Sequence, residues 1–237
     1  MPKARIFSIV IPCFNEALAI PIFLTELNEF INRMTLDFPD TELHVTFVNN
    51  NSSDSSKKLL EDYCVGNSYL HLINEPIQGY GSALKTGFQS QQADYYGFLD
   101  LDNTYPLKNF ITGYRQMLST GSKMLMTNRF SVTSGMPILR SVGNQFFAKL
   151  VNILFSVNRV DVCSGQRILS DSIIGDVLKL SENGLSFSIQ LTCLALKKKW
   201  SITDLPIQYN IRTGESKLSV IKDGLIFLKV VLQTKFF

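Results

Sequence analysis

The stretch Tyr95-Tyr-Gly-Phe-Leu-Asp-Leu-Asp102 passes from an apolar run to two acidic residues. Residues 95–99 have the length and aromatic content of a buried β-strand. Asp100 and Asp102 follow at positions i and i+2, so both carboxylates can approach one hard divalent cation such as Mg²⁺ or Mn²⁺. An isolated Asp-x-Asp is common by chance and also fits a solvated turn, so the surrounding sequence must decide between these interpretations.

The sequence around this stretch alternates short β-branched runs with longer segments of helical period. This alternation is typical of βαβ units and predicts an α/β fold, with a Rossmann-like, mainly parallel central sheet flanked by helices. Residues 79–87 are rich in glycine and are predicted to form a turn that leads into a helix. Strands are predicted at residues 6–11, 42–48, 70–73 and 95–99, and a first helix at about 19–33.

Polar clusters follow three of the predicted strands, namely Asn15-Glu16, residues 49–54 and residues 100–102. Ligands bind to open α/β sheets at the carboxyl ends of their strands. The coincidence of polar clusters with strand ends therefore predicts a binding site at that edge of the sheet.

The second half of the chain is less regular. It is predicted to contain strands near residues 123–127 and 201–204, helices at about 141–155 and 188–198, and a turn at Ser164-Gly165. The sequence has no internal repeat, low-complexity segment or clear linker, and 237 residues suffice to bury one substantial core. We therefore predict a single domain over residues 1–237.

Charge is distributed unevenly although the net charge is only +3. Residues 1–118 carry 8 basic and 13 acidic side chains, whereas residues 119–237 carry 15 basic and 7 acidic ones. A basic half suits an anionic partner such as a phosphate, a membrane surface or nucleic acid, but scattered solvated lysines would give the same balance. Charge alone slightly favours the solvated lysines.

The cysteines and the apolar segments indicate the cellular compartment of the protein. The four cysteines are widely spaced and form no CxxC pair, which predicts reduced, buried thiols in the cytosol. The N-terminus runs into a strand without an apolar signal region, and no apolar stretch approaches the roughly 20 residues of a membrane-spanning helix. We expect a cytoplasmic protein whose membrane contact, if any, is peripheral.

Four motifs, in this order, resemble those of the family 2 glycosyltransferases, which have the glycosyltransferase A fold. The segments that carry the resemblance are Ser8-Ile-Val-Ile-Pro-Cys-Phe-Asn-Glu16, Val48-Asn-Asn-Asn-Ser-Ser-Asp54, Gln78-Gly-Tyr-Gly-Ser-Ala-Leu-Lys-Thr-Gly87 and Asp100-Leu-Asp-Asn-Thr-Tyr-Pro106. The resemblance covers nearly the whole chain. It implies an enzyme that transfers a sugar from a nucleotide-sugar donor.

Two further segments are similar to the branch that makes polyprenyl-phosphate sugars, such as dolichyl-phosphate mannose synthase. They are Val162-Cys-Ser-Gly-Gln-Arg167, preceded by Asp161, and Arg212-Thr-Gly-Glu-Ser-Lys217. This resemblance implies a metal-dependent, inverting transfer of a hexose to dolichyl or undecaprenyl phosphate. Residues 1–118 would then be the nucleotide-sugar half, 119–216 the acceptor half, and 217–237 an amphipathic segment.

The resemblance also implies roles for single residues. Asp102 would bind Mg²⁺ or Mn²⁺ together with Asp100, which also serves the ribose or diphosphate, and the catalytic set would be completed by Arg129 and Arg212. The donor would be bound by Pro12, Phe14, Glu16, Asn49, Asp54, Gly79, Lys85 and Asp100, and the acceptor phosphate by Arg140, Ser141, Arg212 and Lys217. Guanidinium forks suit phosphate oxygens, which agrees with these arginines. For Arg167 we instead predict a surface or ion-paired role.

The nature of the acceptor separates three hypotheses. A phosphate is already anionic at neutral pH and needs no base, and Gln190 stands where related sequences often have Glu. A saccharide hydroxyl would need a carboxylate base, for which Glu182 and Asp161 are the candidates. A non-catalytic nucleotide-sugar binding protein is the third, because Asn49 and Asn50 replace aspartates that are usual in the family.

These departures also leave the nucleotide base of the donor open. An Asn carbonyl accepts a hydrogen bond less strongly than a carboxylate, and its NH₂ group can donate instead. Asn103 and Thr104 follow the metal motif, so a third metal ligand supplied by some relatives at that point is expected to be absent or weak.

Residues 197–237 carry 8 basic side chains against Asp204, Glu215 and Asp223, beside repeated apolar residues. A basic amphipathic helix at 217–237 suits the cytoplasmic face of a membrane, although a helix that packs on a second subunit fits equally. A membrane-protein partner or a homo-oligomer is thus open. The apolar face within 146–155 suits either membrane or core. Lys197-Lys-Lys-Trp200 lies at a helix end, where lysines offset the dipole, so no nucleic-acid partner is expected.

Overall fold

A seven-stranded sheet with strand order β3-β2-β1-β4-β6-β5-β7 organises the molecule. The structure, a computed structural model, describes residues 4–130, 135–214 and 219–237. All neighbouring strands pair in parallel except at β6, which is antiparallel to both β4 and β5. The strands are β1 Arg5–Cys13, β2 Thr41–Asn49, β3 Leu70–Asn74, β4 Tyr95–Phe98, β5 Met124–Asn128, β6 Arg167–Ser170 and β7 Ile202–Pro206. The predicted mainly parallel α/β sheet is confirmed.

Helices cover both faces of this sheet. They are α1 Ile20–Asp37, α2 Ser56–Cys64, α3 Tyr80–Gln89, α4 Asn109–Thr120, α5 Ile138–Phe155, α6 Asp171–Val177, α7 Phe187–Lys197 and α8 Val220–Phe236. The sequence analysis did not predict α4, α6 or β6. The strand β6 and the helix α6 are short, whereas α4 does have helical apolar spacing at Phe110, Tyr114 and Met117. The prediction of a turn over residues 79–87 was wrong, since the helix begins at Tyr80 and only Gly79, with φ +155°, turns before it.

The core lies in layers because successive side chains of a strand point to opposite faces. Phe7, Ile9 and Ile11 of β1 pack with α1, α2 and α4 on one face. Val10 faces the other side, where it contacts the cluster formed by α3, α6 and α7. A third cluster joins α5, α7 and α8 through buried residues that include Val151, Ile189, Phe227, Val230 and Val231.

The direction of β6 brings the two halves of the chain to one edge. Because β6 runs opposite to β4 and β5, strands β1, β2, β4, β5 and β7 all end at the edge where β6 begins. The polar clusters of the first half therefore share that edge with Arg129, residues 161–166 and the segment after Pro206. Among the residues described, no helix has the length and apolarity to cross a bilayer.

Gly87 lets α3 approach β1 closely. A Cβ added to Gly87 would lie 2.2 Å from Cγ1 of Val10, whereas a Cβ on Gly175 of α6 would meet nothing within 4 Å. We expect Gly87→Ala to lower the free energy of unfolding by about 1–3 kcal/mol through overpacking. Gly175→Ala should leave it unchanged or raise it slightly, because alanine favours the helix. Urea unfolding of both variants tests this, and equal stabilities would contradict the packing described.

Candidate functional site

Three loops at the carboxyl edge of the sheet turn through an asparagine with left-handed backbone. These residues are Asn15 after β1, Asn51 after β2 and Asn103 after β4, with φ of 52°, 61° and 64°. Asparagine tolerates this conformation better than most residues, since its side chain can bond the local backbone. The Asn15 carbonyl, for example, accepts a hydrogen bond from the Ser53 amide at 2.8 Å. The turns fold the polar side chains back over the edge.

Asp102 is the most firmly held carboxylate at this edge, and only 2% of it is exposed. Its Oδ1 accepts hydrogen bonds from the amide and the hydroxyl of Thr104, at 3.1 and 2.5 Å. Its Oδ2 lies 2.7 Å from Nη1 of Arg212, which comes from the far end of the chain. Burial of a carboxylate costs free energy unless it is paired, and here a guanidinium provides the pairing.

Arg212 bridges two of the strand-end loops. Its other terminal nitrogen, Nη2, lies 2.5 Å from Oε1 of Glu16, which is itself almost buried. The main chain reinforces this bridge, because the Thr213 amide donates to the Asp102 carbonyl at 3.0 Å and the Asn210 amide to the Thr104 carbonyl at 2.9 Å. Residues 210–213 therefore lie directly over the loop that carries Asp102.

Asp100 lies beside Asp102 in a different environment. Its Oδ1 is buried and has no hydrogen-bond partner in the described part of the chain. Desolvation, followed by the charge of Asp102, raises the pKa of Asp100 to about 7. Gly165 closes one side, since a Cβ there would lie 2.7 Å from Oδ2 of Asp100. Two adjacent carboxylates with one oxygen unsatisfied fit a cation with oxygen ligands.

Arg129 and Asp161 form a buried, bidentate ion pair. Nε of Arg129 lies 2.6 Å from Oδ2 of Asp161, and Nη2 lies 2.8 Å from Oδ1. Although burial alone would raise it, the charge of Arg129 lowers the pKa of Asp161. The guanidinium also stands 5.6 Å from the ring centroid of Tyr209, which packs edge-on against Tyr105. Arg129 thus has a carboxylate partner inside the protein.

Arg167 is completely buried, and its prediction as a surface or ion-paired residue was wrong. Its guanidinium donates to three backbone carbonyls, those of Ser164, Val162 and Ser188. These bonds fasten the turn before β6 to the start of α7. Desolvation lowers the pKa of Arg167 to about 10. Its role is to fix the loop that places Gly165 against Asp100.

Asn50 accounts structurally for one of the departures from the family pattern. Its NH₂ group donates to the carbonyls of Glu75 and Ile77, at 3.1 and 2.8 Å, and its carbonyl accepts from the Gly79 amide at 2.7 Å. A carboxylate could not donate to the two carbonyls. Asn49 is bonded differently, because its NH₂ donates to the side-chain carbonyl of Asn74 at 2.9 Å and its own carbonyl accepts from the Ser52 amide at 3.2 Å.

The other predicted donor residues lie around these carboxylates or farther along α3. Pro12 and Phe14 are half-buried at the end of β1. Asp54 accepts hydrogen bonds from the amides of Ala17 and Ser56. Burial alone would raise the pKa of Asp54, but its hydrogen bonds together lower it. Lys85 donates to the Leu180 carbonyl and to Asn183, so its ammonium is bound by the loop before α7.

The predicted acceptor residues divide between two places. Arg212 contacts Asp102 and Glu16 directly. Arg140 and Ser141 lie in the first turns of α5, where Arg140 lines a cleft shared with Gly224 and Phe227 of α8. Lys217 lies outside the described residues.

Sequence reasoning missed several residues that shape the site. Tyr80 stands beside Asp100. Burial, followed by the charge of Asp100, raises the pKa of the Tyr80 hydroxyl. The Tyr105 hydroxyl accepts a hydrogen bond from the Gly165 amide at 2.7 Å. Their positions in the sequence could have indicated both tyrosines, since Tyr80 lies between two glycines and Tyr105 directly follows Thr104 in the metal motif.

The sequence profile of glycosyl transferase family 2 matches residues 8–177. A dolichyl-phosphate hexose transferase of Haloferax volcanii is 26% identical over 165 residues, which is 68% of this chain and 70% of the relative. A dolichyl-phosphate beta-glucosyltransferase of Trichomonas vaginalis is 22% identical over 247 residues, covering 98% of this chain and 74% of the relative. Glucosyl-3-phosphoglycerate synthase from Mycobacterium tuberculosis, solved with Mn²⁺, uridine-diphosphate and phosphoglyceric acid, superimposes with a TM-score of 0.72 at 15% identity, covering 98% of this chain and 79% of that one. The expected glycosyltransferase A fold is confirmed.

The two asparagines after β2 should respond differently to replacement by aspartate. Asn50→Asp would place a carboxylate against two backbone carbonyls that cannot reorient, so we expect a loss of about 1–3 kcal/mol in the free energy of unfolding. Asn49→Asp faces the amide of Asn74, which can turn its NH₂ toward the new carboxylate, and should cost at most about 1 kcal/mol. Thermal or urea unfolding compares the two, and equal losses would contradict the assigned hydrogen bonds.

Proposed function

We propose, because the chain belongs to glycosyl transferase family 2, that it transfers a hexose with inversion from a nucleoside-diphosphate sugar to a polyprenyl phosphate. The observation that carries this proposal is the arrangement at the sheet edge. Asp100 and Asp102 lie beside each other at this edge, which supports a cation on the donor side, and Arg212 lies directly against Asp102. The names of the two sequence relatives, both dolichyl-phosphate sugar transferases, support the acceptor class.

The hydrogen bonds that Asp161 and Glu182 already make support a phosphate as the nucleophile. Asp161 binds Arg129 through both of its oxygens, and the Glu182 carboxylate accepts a hydrogen bond from Ser186. Carboxylates committed in this way are poor general bases for a hydroxyl. A phosphate oxygen is already negatively charged at neutral pH and requires only orientation and a cationic neighbour.

A divalent cation suits the donor side. Among the described residues, no group of three or more His, Cys, Asp or Glu could hold a metal, so a cation bound by the two aspartates would take its other ligands from water or from donor oxygens. Mg²⁺ and Mn²⁺ are commonly held by one or two carboxylates together with substrate phosphates. When bound by Asp100 and Asp102, such a cation stabilises the charge that develops on the departing nucleoside diphosphate.

A saccharide hydroxyl is the second candidate acceptor, because Glu182 remains partly accessible near the start of α7. This alternative requires Glu182 or Asp161 to accept the proton. Glu182→Gln should then abolish transfer while donor binding survives. Under the phosphate proposal, Glu182→Gln retains transfer, because the nucleophile carries its own charge.

The face that would meet a membrane is formed by α5 and α8 rather than by α8 alone. We define the α5/α8 surface by its exposed apolar side chains, which are Ile138, Leu139, Val142 and Phe146 of α5 and Leu225, Ile226, Leu232 and Phe236 of α8. Arg140 lines the cleft between the two helices, and Lys222 and Lys229 are exposed on α8. Apolar side chains bordered by basic ones favour an anionic lipid surface.

The α5/α8 surface begins close to the segment that carries Arg212. The Gly135 amide donates to the Tyr209 carbonyl at 2.8 Å. The residues just before α5 therefore lie beside the segment that runs from the end of β7 to Arg212. Ile211, the residue before Arg212, is 80% exposed. A phosphate held at Arg212 would therefore have its apolar tail near an apolar face, which supports peripheral attachment at a cytoplasmic membrane surface.

Transfer should depend on Asp102. We expect wild-type protein with Mn²⁺ or Mg²⁺ to move label from a UDP- or GDP-hexose to dolichyl or undecaprenyl phosphate, and Asp102→Asn to lower the rate on the order of 100-fold or more. Asp62→Asn is the matched control, because Asp62 is an exposed carboxylate that pairs with Lys58 on the surface of α2. Donor binding without lipid product from any sugar would overturn the acceptor proposal.

Membrane attachment should depend on the α5/α8 surface. We expect the double substitution Leu139→Glu with Val142→Glu to lower binding to vesicles of phosphatidylglycerol and phosphatidylcholine on the order of tenfold or more. The control pair is Ile22→Glu with Leu36→Glu, whose side chains are similarly exposed on α1, on the opposite face of the sheet. Vesicle sedimentation compares them, and equal effects would contradict attachment through α5 and α8.

A further inference from the structure

We infer that Arg212 is a resident counter-ion of the donor site, which the donor's metal must displace from Asp102 before transfer can occur. The inference rests on the proposed function for the identity of the ligands and goes beyond it in the order of events. Its starting point is that Arg212 already binds, through separate nitrogens, two residues expected to serve the donor, Asp102 and Glu16.

The contact of Arg212 with Asp102 opposes metal binding there by placing a positive charge against the same oxygen. Oδ1 of Asp102 is filled by the amide and the hydroxyl of Thr104, so Oδ2 is the oxygen left for a cation, and Nη1 of Arg212 lies 2.7 Å from it. A guanidinium 2.7 Å from that oxygen repels a divalent cation bound to it, so each weakens the binding of the other. The guanidinium supplies the positive charge that offsets the burial of the Asp102 carboxylate.

The arginine is held in a way that permits exchange. Nε of Arg212 is buried without a hydrogen-bond partner among the described residues, so its guanidinium is only partly satisfied in this position. The segment that carries Arg212 is anchored by main-chain hydrogen bonds from Asn210 and Thr213, and Gly214 follows with φ +84°. The side chain can thus leave Asp102 while the backbone on either side of it stays in place.

The exchange of Arg212 for a metal at Asp102 determines the order in which the two substrates bind. Once a divalent cation takes Asp102, the released guanidinium is available to an oxyanion, for which its fork of donors is well suited. Before that, the same guanidinium is neutralised by two carboxylates. The donor with its metal would bind first, and the anionic acceptor second.

The test is Mn²⁺ binding to the protein without substrates, followed by electron paramagnetic resonance. Competition predicts that Arg212→Met tightens Mn²⁺ binding on the order of tenfold, whereas Arg212→Lys, which keeps the charge, stays closer to wild type. Arg159→Met is the matched control, because Arg159 pairs with Asp204 outside the site. Circular dichroism checks that each variant is folded. Unchanged or weaker Mn²⁺ binding by Arg212→Met would overturn the inference.

A second measurement addresses the order of binding. Wild type should bind geranyl phosphate more tightly when Mn²⁺ and UDP or GDP are present than when they are absent, and tighter binding to the metal-free protein would overturn the exchange. If geranyl phosphate binds in neither state while Arg212→Met still tightens Mn²⁺ binding, the acceptor class fails and the counter-ion role stands. If Asp102→Asn and wild type bind no Mn²⁺ under any condition, the counter-ion role and the proposed metal dependence fail together.

Discussion

The structure of the site depends on neutralising carboxylates that are gathered at one edge of a sheet. Parallel strands end at that edge, and their loops carry Glu16, Asp100 and Asp102 into largely buried positions. Burial of negative charge is unfavourable unless a cation or hydrogen-bond donors accompany it. Arg212 pairs directly with two of the three carboxylates. The pKa of Asp100 is raised to about 7, because desolvation and the charge of Asp102 outweigh the lowering effects of its neighbours. The same electrostatic demand supports the proposed binding of a divalent metal at this edge.

The antiparallel strand β6 joins this donor edge to the second half of the chain. By running against β4 and β5, it presents its amino end to the site, and the turn before it places Gly165 against Asp100. That turn is secured from within by Arg167, whose guanidinium satisfies backbone carbonyls that would otherwise be buried without donors. Arginine therefore has three distinct tasks here: Arg167 supports a loop, Arg129 neutralises Asp161, and Arg212 faces the donor carboxylates.

The charged groups differ in whether they pair with each other in the interior or at the proposed site, and this difference separates the two sides of the proposed reaction. Asp161 and Arg129 satisfy each other in the interior, whereas Arg212 pairs with Asp102, and the proposed exchange of partners concerns Arg212, Asp102 and the neighbouring Asp100. A site with this balance suits reactants that bring both a cation and negative charge, namely a metal-bound diphosphate and a phosphate. The exposed apolar face of α5 and α8, close to the chain that leads into Arg212, fits an acceptor whose remaining part is apolar.

The sequence by itself determined the local elements and their polar ends. Periodicity is a property of neighbouring residues, so the first four strands, helix α1 and the clusters at 15–16, 49–54 and 100–102 could be read directly, and parallel pairing then required those clusters to share an edge. Only the tertiary structure decided the direction of β6, the burial of Arg167, the hydrogen bonds of Asn50 and the pairing of Arg212 with Glu16 across 196 residues. Such contacts join residues far apart in the chain, and because they leave no periodic pattern in the sequence, folding alone establishes them.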